Sequence, residues 1–282
     1  MLQIALPNKG SLSQEAVELV REAGYHCRRY SRELVVRDKA HPIEYVFLRP
    51  KDIAVYVSRG VLDIGITGRD LALDSQADFH ELLPLEFGRS SFYYAVPQES
   101  ELTPDQFGGL RIATSYANLV AQDLQKRGVR ADVVHLDGAV EIAIRLGVAD
   151  AIADVVESGR TMMEAGLKTV GEPLIASEAI LIARDQSVAR NEWVKQFVER
   201  LKGIIVARAY VMVEYDAPTE LLEQASMITP GIEAPTVAPL SREGWVAIKA
   251  MAKKSDVNDI MDRLAQLGAK GIIVTPIRTC RI

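Results

Sequence analysis

Two segments of this chain recur, and the recurrence limits its fold more than any other feature. LQIALP (Leu2 to Pro7) is echoed by LRIATS (Leu110 to Ser115), and GVLDIGIT (Gly60 to Thr67) by GVADAIAD (Gly147 to Asp154), with Gly, Val and Asp at matching spacing. The echoes lie about a hundred and about ninety residues apart, well beyond the period of a solenoid, and so predict two similar βαβ lobes.

The length of 282 residues exceeds the usual size of one hydrophobic core, so two or three compact units are expected. Apolar residues make up 48% of the chain, enough to fill them. The net charge of −5 argues against a broad grip on nucleic acid, so any anion binding must be local. The longest apolar stretch, Gly203 to Val213, is broken by Arg208 and too short to span a bilayer. MLQIALPNKG lacks a basic segment followed by an apolar run, so no membrane association, no secretory signal and a cytoplasmic location are expected. Cys27 and Cys280 show neither disulfide nor zinc spacing, and the scattered His26, His41, His80 and His135 are expected in surface or structural roles.

In the first lobe, the strand at Leu2 to Pro7 leads through NKGS into a helix from about Leu12 to Ala23. Ser11 with Gln14 fits a capping box, and Gly24 sits where a helix stops. Strands are predicted at Leu34 to Val36, Tyr45 to Leu48 and Ile64 to Thr67, with a helix over Asp52 to Ser58. SSFYYAVP (Ser90 to Pro97) and EAILIAR (Glu178 to Arg184) have the pattern of strands by which the chain crosses between lobes and returns. Residues 1–90 and 179–208 would form one lobe, 91–178 the other and 209–282 a third module. That module follows a helix at about Asn191 to Ala207. Its elements are Tyr210 to Tyr215, Thr219 to Ala225, Thr236 to Leu240, Val246 to Met251, Val257 to Leu267 and Gly271 to Thr275, the βαββαβ order of a ferredoxin-like fold.

Ligands of mostly parallel α/β sheets bind beyond the carboxyl ends of the strands. The repeat therefore marks two loops: Thr67-Gly68-Arg69-Asp70 and Asp154 to Thr161. Ordinary strand-to-helix turns are an equal alternative. In DVVESGRT, backbone N–H groups at a turn and helix start can surround phosphate oxygens, and Gly159 allows close approach. Ser158, Arg160 and Thr161 can add donors. Asp154 would repel a phosphate unless it meets sugar hydroxyls or a bridging Mg²⁺, so a phosphorylated ribose with metal fits better than a bare anion.

Lys9, Arg49 and Lys51 follow two strand ends, where they suit a polyphosphate or are solvated surface charge. Tyr116 can stack on a base or pack. Asp137 stands at an expected helix start with Glu141 in its first turns, facing the cleft or capping the helix. The sequence contains no GxxxxGK[ST], GxGxxG after a strand, HExxH or GxSxG.

Six segments carry a resemblance covering nearly the whole chain: PNKGSL (Pro7 to Leu12), LRPKDIAVYV (Leu48 to Val57), LDIGITGRDL (Leu62 to Leu71), RIATSYANL (Arg111 to Leu119), LDGAVEIAIRLGVADAIADVVESGRT (Leu136 to Thr161) and TPGIEAPTVAPL (Thr229 to Leu240). Together they resemble the long form of ATP phosphoribosyltransferase, the first enzyme of histidine biosynthesis. Ala117 departs from the proline expected after Ser-Tyr.

The resemblance implies a two-lobed α/β catalytic part similar to periplasmic binding proteins and a C-terminal regulatory domain. It implies transfer of a phosphoribosyl group from 5-phosphoribosyl 1-diphosphate (PRPP) to adenine N1 of ATP, with Mg²⁺ required. Histidine inhibition and homo-oligomers, a dimer and an inhibited hexamer, are also implied. Carried over, PRPP would meet Glu141, Asp154, Glu157, Ser158, Gly159, Arg160 and Thr161. Lys9, Arg49 and Lys51 would take phosphates of ATP or diphosphate, and Asp70, Leu71 and Tyr116 would border the nucleotide. Histidine would meet Asp216, Ile232, Pro235, Thr236 and Gly271. Magnesium would be held mainly through substrate phosphates.

Two binding functions compete on the same architecture. A solute-binding protein is disfavoured by the missing signal and the extra module. A transcription regulator is disfavoured because the chain opens on its first strand, with no helix-turn-helix before it.

Overall fold

A computed structural model of the chain describes residues 1–29, 33–157 and 159–281. It divides into two compact units, Met1–Val198 and Glu199–Ile282.

The first unit opens with β1 (Leu2–Pro7), buried along almost its whole length as befits a central parallel strand. The chain continues through α1 (Ser11–Glu22), β2 (Val35–Arg37), β3 (Ile43–Leu48), α2 (Pro50–Ser58), β4 (Ile64–Gly68), α3 (Arg69–Asp74) and β5 (His80–Pro84). Helix α1 buries Ala16, Leu19 and Val20, a single stripe at helical spacing. The Ser11 and Gln14 capping box expected at its start does not form. The helix begins one residue earlier, Ser11 is its first residue, and Gly10 takes the cap position at φ 78, where a side chain is disfavoured.

The second lobe holds β6 (Ser90–Pro97), β7 (Arg111–Thr114), α4 (Ala117–Arg127), β8 (Asp132–His135), β9 (Ala151–Val156), α5 (Arg160–Glu164) and β10 (Leu167–Ser177). The chain then returns as β11 (Ala179–Ala183) and enters α6 (Glu192–Ala209). The helix expected around Asp137 and Glu141 reduces to one 3-10 turn at Val140–Ile142. Gly138 at φ 140 and Ala139 at φ 51 interrupt any right-handed helix from Asp137.

The two sheets repeat one plan. The first has the order β2-β3-β1-β4-β11-β5 and the second β10-β6-β9-β7-β8. In the first, β1 lies parallel between β3 and β4, with β11 antiparallel on β4. In the second, β7 lies parallel between β8 and β9, with β6 antiparallel on β9. The echoed segments thus occupy equivalent strands: β1 matches β7, and β4 matches β9. The expected crossing strands are β6 and β11, each formed in the lobe opposite the strand it follows. Tight apolar cores fix these frames, Ile53, Val57 and Ile180 in one lobe and Phe92, Tyr94 and Phe107 in the other. Each such side chain contributes about 1.5–3 kcal/mol on burial.

The two crossovers run side by side. Leu85 N–H donates to Ala179 O, Ala179 N–H to Phe87 O, and Glu86 N–H to the Glu178 carboxylate. Arg69 pairs with both Glu81 and Glu178, which pins the start of α3 to this hinge.

The second unit contains the end of α6 and a sheet of order β13-β14-β12-β15. Its strands are β12 (Tyr210–Pro218), β13 (Thr236–Pro239), β14 (Trp245–Lys253) and β15 (Lys270–Pro276), with α7 (Leu222–Ile228) after β12 and α8 (Val257–Leu267) before β15. All its pairings are antiparallel, so order and connectivity are those of a ferredoxin-like βαββαβ fold. Val211, Val213, Tyr215 and Ala217 alternate into a core shared with Ile260 and Leu264. Glu214 and Asp216 project from the other face.

Candidate active site between the two lobes

The carboxyl ends of β1 and β4 face those of β7 and β9 across an open cavity of about 310 Å³. The first lobe contributes Ser11, Leu12, Gly68, Asp70 and Leu71; the second contributes Tyr116, Gly138, Asp154 and Glu157, with Ser90 and Ser115 completing the rim. This volume lies at the small end of small-molecule sites. Five residues singled out by sequence, Asp70, Leu71, Tyr116, Asp154 and Glu157, share this one space.

Asp70 is placed by the turn out of β4. Its carboxylate folds back over Gly68, where a Cβ would push the carboxylate out of its present position. Asp70 is only 6% exposed, yet it is fully engaged. Ser177 Oγ donates to Asp70 Oδ1 at 2.8 Å and accepts from Asp70 N–H at 3.1 Å. The Tyr116 phenol of the other lobe stands close enough to the same carboxylate to feel its charge. Burial, then the Asp70 charge, hold the Tyr116 phenol well above its ordinary range, so at neutral pH it is a neutral donor. The Tyr116 ring packs on Phe92 at 5.0 Å between centroids and also lines the cavity.

Ala117 is the first residue of α4. Proline is well accepted at that first helical position, and alanine occupies it here. The N-terminus of α4 is already engaged. Asp74, at the end of α3 in the first lobe, accepts from the N–H groups of both Asn118 and Leu119.

Asp154, two residues before the end of β9, is half-buried. Among the described residues its carboxylate accepts from Val155 N–H, and its pKa is raised, first by burial and further by the Glu141 charge. Among the described residues, neither carboxylate forms an ion pair, so the two leave a net negative charge that a cation or sugar hydroxyls would satisfy. Beyond it, Gly159 caps α5 at φ 74, a conformation that favours glycine. Thr161 is exposed in the first turn of α5, whereas Arg160 turns to Glu164 in an exposed pair. Ser158 lies outside the described residues.

The three cations are arranged differently from one another. Lys9 and Arg49 are exposed beyond β1 and β3. Lys51 reaches across the cleft to Asp137, with Nζ 3.1 Å from Oδ1. Sequence reasoning missed Ser11, Ser90 and Ser177. Ser11 sits in the NKGSL turn, where its place at a helix start was the available signal; Ser90 and Ser177 become relevant only once the crossovers are folded.

On the sheet of the second unit, Asp216 and Gly271 are close, a Cβ on Gly271 lying 3.8 Å from Asp216 Oδ2. Thr236, on β13, points to the same face but is separated from β12 by β14. Ile232 is exposed and Pro235 partly so, both in the segment leading to β13. Of the five residues predicted for an effector, Asp216 and Gly271 are therefore adjacent, and Thr236 lies two strands away from Asp216.

Comparison with known proteins accounts for both units. Residues 49–203 match the family described as ATP phosphoribosyltransferase, and residues 207–279 match that described as HisG, C-terminal domain. An ATP phosphoribosyltransferase of Salinibacter ruber is 59% identical over the full length of both chains. One of Nocardia farcinica is 54% identical over 100% of this chain and 99% of its own. Among solved structures, the ATP phosphoribosyl transferase (HisG:HisZ) complex of Thermotoga maritima matches 72% of this chain and 97% of its own, with 27% identity and a TM-score of 0.63. The chain belongs to the ATP phosphoribosyltransferase family, in its long form with a C-terminal domain.

Proposed function

We propose that the cavity between the two lobes is where this ATP phosphoribosyltransferase, the enzyme of the first step of histidine biosynthesis, joins its substrates. The supporting observation is that residues expected for two different substrates line one space. Asp70 and Leu71 of the first lobe with Tyr116 of the second would border the adenine nucleotide, while Asp154 and Glu157 would border PRPP. Glu141, Ser158, Gly159, Arg160 and Thr161 complete the PRPP side. Lys9, Arg49 and Lys51 serve the phosphates of ATP and the departing diphosphate.

Adenine N1 carries a lone pair at neutral pH and needs no strong base. The N1–C1 bond forms as the bond from C1 to the diphosphate oxygen breaks, and the sugar develops oxocarbenium character between them. The protein's task is to align N1 opposite the leaving group and to neutralise it. Among the described residues, no three His, Cys, Asp or Glu side chains form a ready metal site. The charge left by Asp154 and Glu141 instead suits a Mg²⁺ carried in on substrate phosphates, with these carboxylates as its protein contacts. When bound, that ion supplies charge neutralisation at the diphosphate.

The domain of residues 209–282 is the regulatory part in this reading, with residues 1–90 and 179–208 forming one catalytic lobe and 91–178 the other. Histidine would be held at Asp216 and Gly271 with Ile232, Pro235 and Thr236. Among the described residues no helix is long and apolar enough to cross a membrane; a cytoplasmic homo-oligomer, dimeric and hexameric, completes the proposal.

The test is to mix the protein with ATP, PRPP and Mg²⁺ and follow phosphoribosyl-ATP by ultraviolet absorbance and mass. Product that disappears with a chelator and falls with added histidine is the expected result. No product under any condition would overturn the assignment of the cavity.

A further inference from the structure

Helix α4 starts without a cap of its own. Tyr116 occupies the N-cap position but makes no side-chain capping bond. An N-cap side chain ordinarily reaches the second or third helical N–H. Here Asp74 reaches both from the other lobe: its Oδ1 accepts from Asn118 N–H and Leu119 N–H, each at 3.0 Å. Its backbone carbonyl also accepts from Asn118 Nδ2 at 2.8 Å.

Asp74 and Asp70 are four residues apart on α3 and so share a face of that helix. Asp70 stands beside the Tyr116 phenol, and Asp74 binds the turn that follows Tyr116. The backbone that carries the tyrosine is thereby tied to the first lobe. The bonds from Asp74 have a second consequence. An uncapped helix N-terminus attracts phosphate, and Asp74 fills this one with a carboxylate.

We propose that Asp74 is a positioning residue for the adenine nucleotide: a helix cap supplied across the cleft that holds the Tyr116 turn for the base and keeps phosphate away from α4. The proposal rests on Tyr116 bordering the nucleotide. Its effect should fall on one substrate, because Asp74 touches the α4 turn and not the Asp154 loop.

Three variants of the full chain test it by steady-state kinetics with each substrate varied. Asp74→Ala should raise KM for ATP about tenfold, the loss expected for a helix cap, with a smaller change in kcat and KM for PRPP nearly unchanged. Asp74→Asn keeps an acceptor oxygen and should restore most of the affinity. Asn118→Ala, which removes only the bond to the Asp74 carbonyl, should shift KM for ATP in the same direction by less, and stands in should Asp74→Ala fail to fold. Equal losses for both substrates, unchanged KM for ATP in Asp74→Ala or in its stand-in, or an Asp74→Asn variant no better than Asp74→Ala would overturn the proposal. Tyr116→Ala separates the two readings. If it leaves KM for ATP unchanged, the nucleotide assignment fails; if it raises KM while the Asp74 variants do not, only the cap proposal fails.

Discussion

Lys51 Nζ lies 3.1 Å from Asp137 Oδ1, so a cation placed by sequence among the phosphate-binding groups is held by a carboxylate of the opposite lobe. Both side chains are exposed, which makes the bridge weak and exchangeable. Lys51 can therefore leave Asp137 for a phosphate without breaking a buried contact. Lys51→Ala should lower kcat/KM by about ten- to a hundredfold, as expected when a charged contact to the reacting phosphates is lost. Asp137→Ala should leave the melting temperature unchanged and activity close to wild type. An equal loss of activity in both variants would mean that the bridge itself, and not the free lysine, serves the reaction.

Asp154 sets stability against function. Burial raises its pKa above the usual 3.8, so the folded protein takes up a proton more readily than the unfolded chain. Between those two pKa values the native state binds more protons, and stability falls as pH rises. Below pH 3.8 both states are protonated and the penalty is absent; at neutral pH it is fully present. Asp154→Asn should therefore melt higher than wild type at pH 7, with the difference shrinking as pH falls toward 4. The same variant should use PRPP poorly. Melting curves across that pH range, beside PRPP kinetics, check both halves, and a variant that melts lower at pH 7 contradicts the first.

How much of this was legible in the chain follows from the range of each interaction. The paired lobes were legible because β1, β4, β7 and β9 are central strands, and burial on both sides leaves a local apolar pattern that repeats. The βαββαβ module was legible for a similar reason, with alternation along β12 and helical spacing along α8. The Asp137 region was misread because its helical spacing is overridden by positive φ at Gly138 and Ala139. Contacts across the cleft were hidden altogether. Asp74 and Asn118 are 44 positions apart, and Lys51 and Asp137 are 86 apart, so no local pattern marks either pair.

In the proposed reading, Asp216 would serve regulation and not catalysis. It projects from the face of the sheet opposite the helices, next to Gly271, which adopts a left-handed backbone at φ 62. Loss of a charged hydrogen-bond partner from a ligand amine typically weakens binding about ten- to a hundredfold. Asp216→Ala should weaken histidine inhibition by that factor and leave uninhibited kcat and both KM values unchanged. Inhibition curves decide the matter: an unaltered inhibition constant would remove Asp216 from the effector site.

The alanine at 117 offers a stabilising change that also probes the cleft. As the first residue of α4, its N–H has no partner within the helix, and that position is one where proline is favoured. The bonds from Asp74 go to Asn118 and Leu119, so proline at 117 would remove neither of them. Restricting the unfolded chain in this way typically adds about 0.4–1 kcal/mol of stability. Ala117→Pro should therefore raise the denaturation midpoint by that amount with an unchanged denaturant slope, and it should leave KM for ATP the same or slightly lower because the Tyr116 turn is better ordered. A lower midpoint would show that Tyr116, at φ −120 and ψ 61, cannot precede proline without moving. The accompanying rise in KM for ATP would then measure how closely nucleotide affinity depends on the position of that turn.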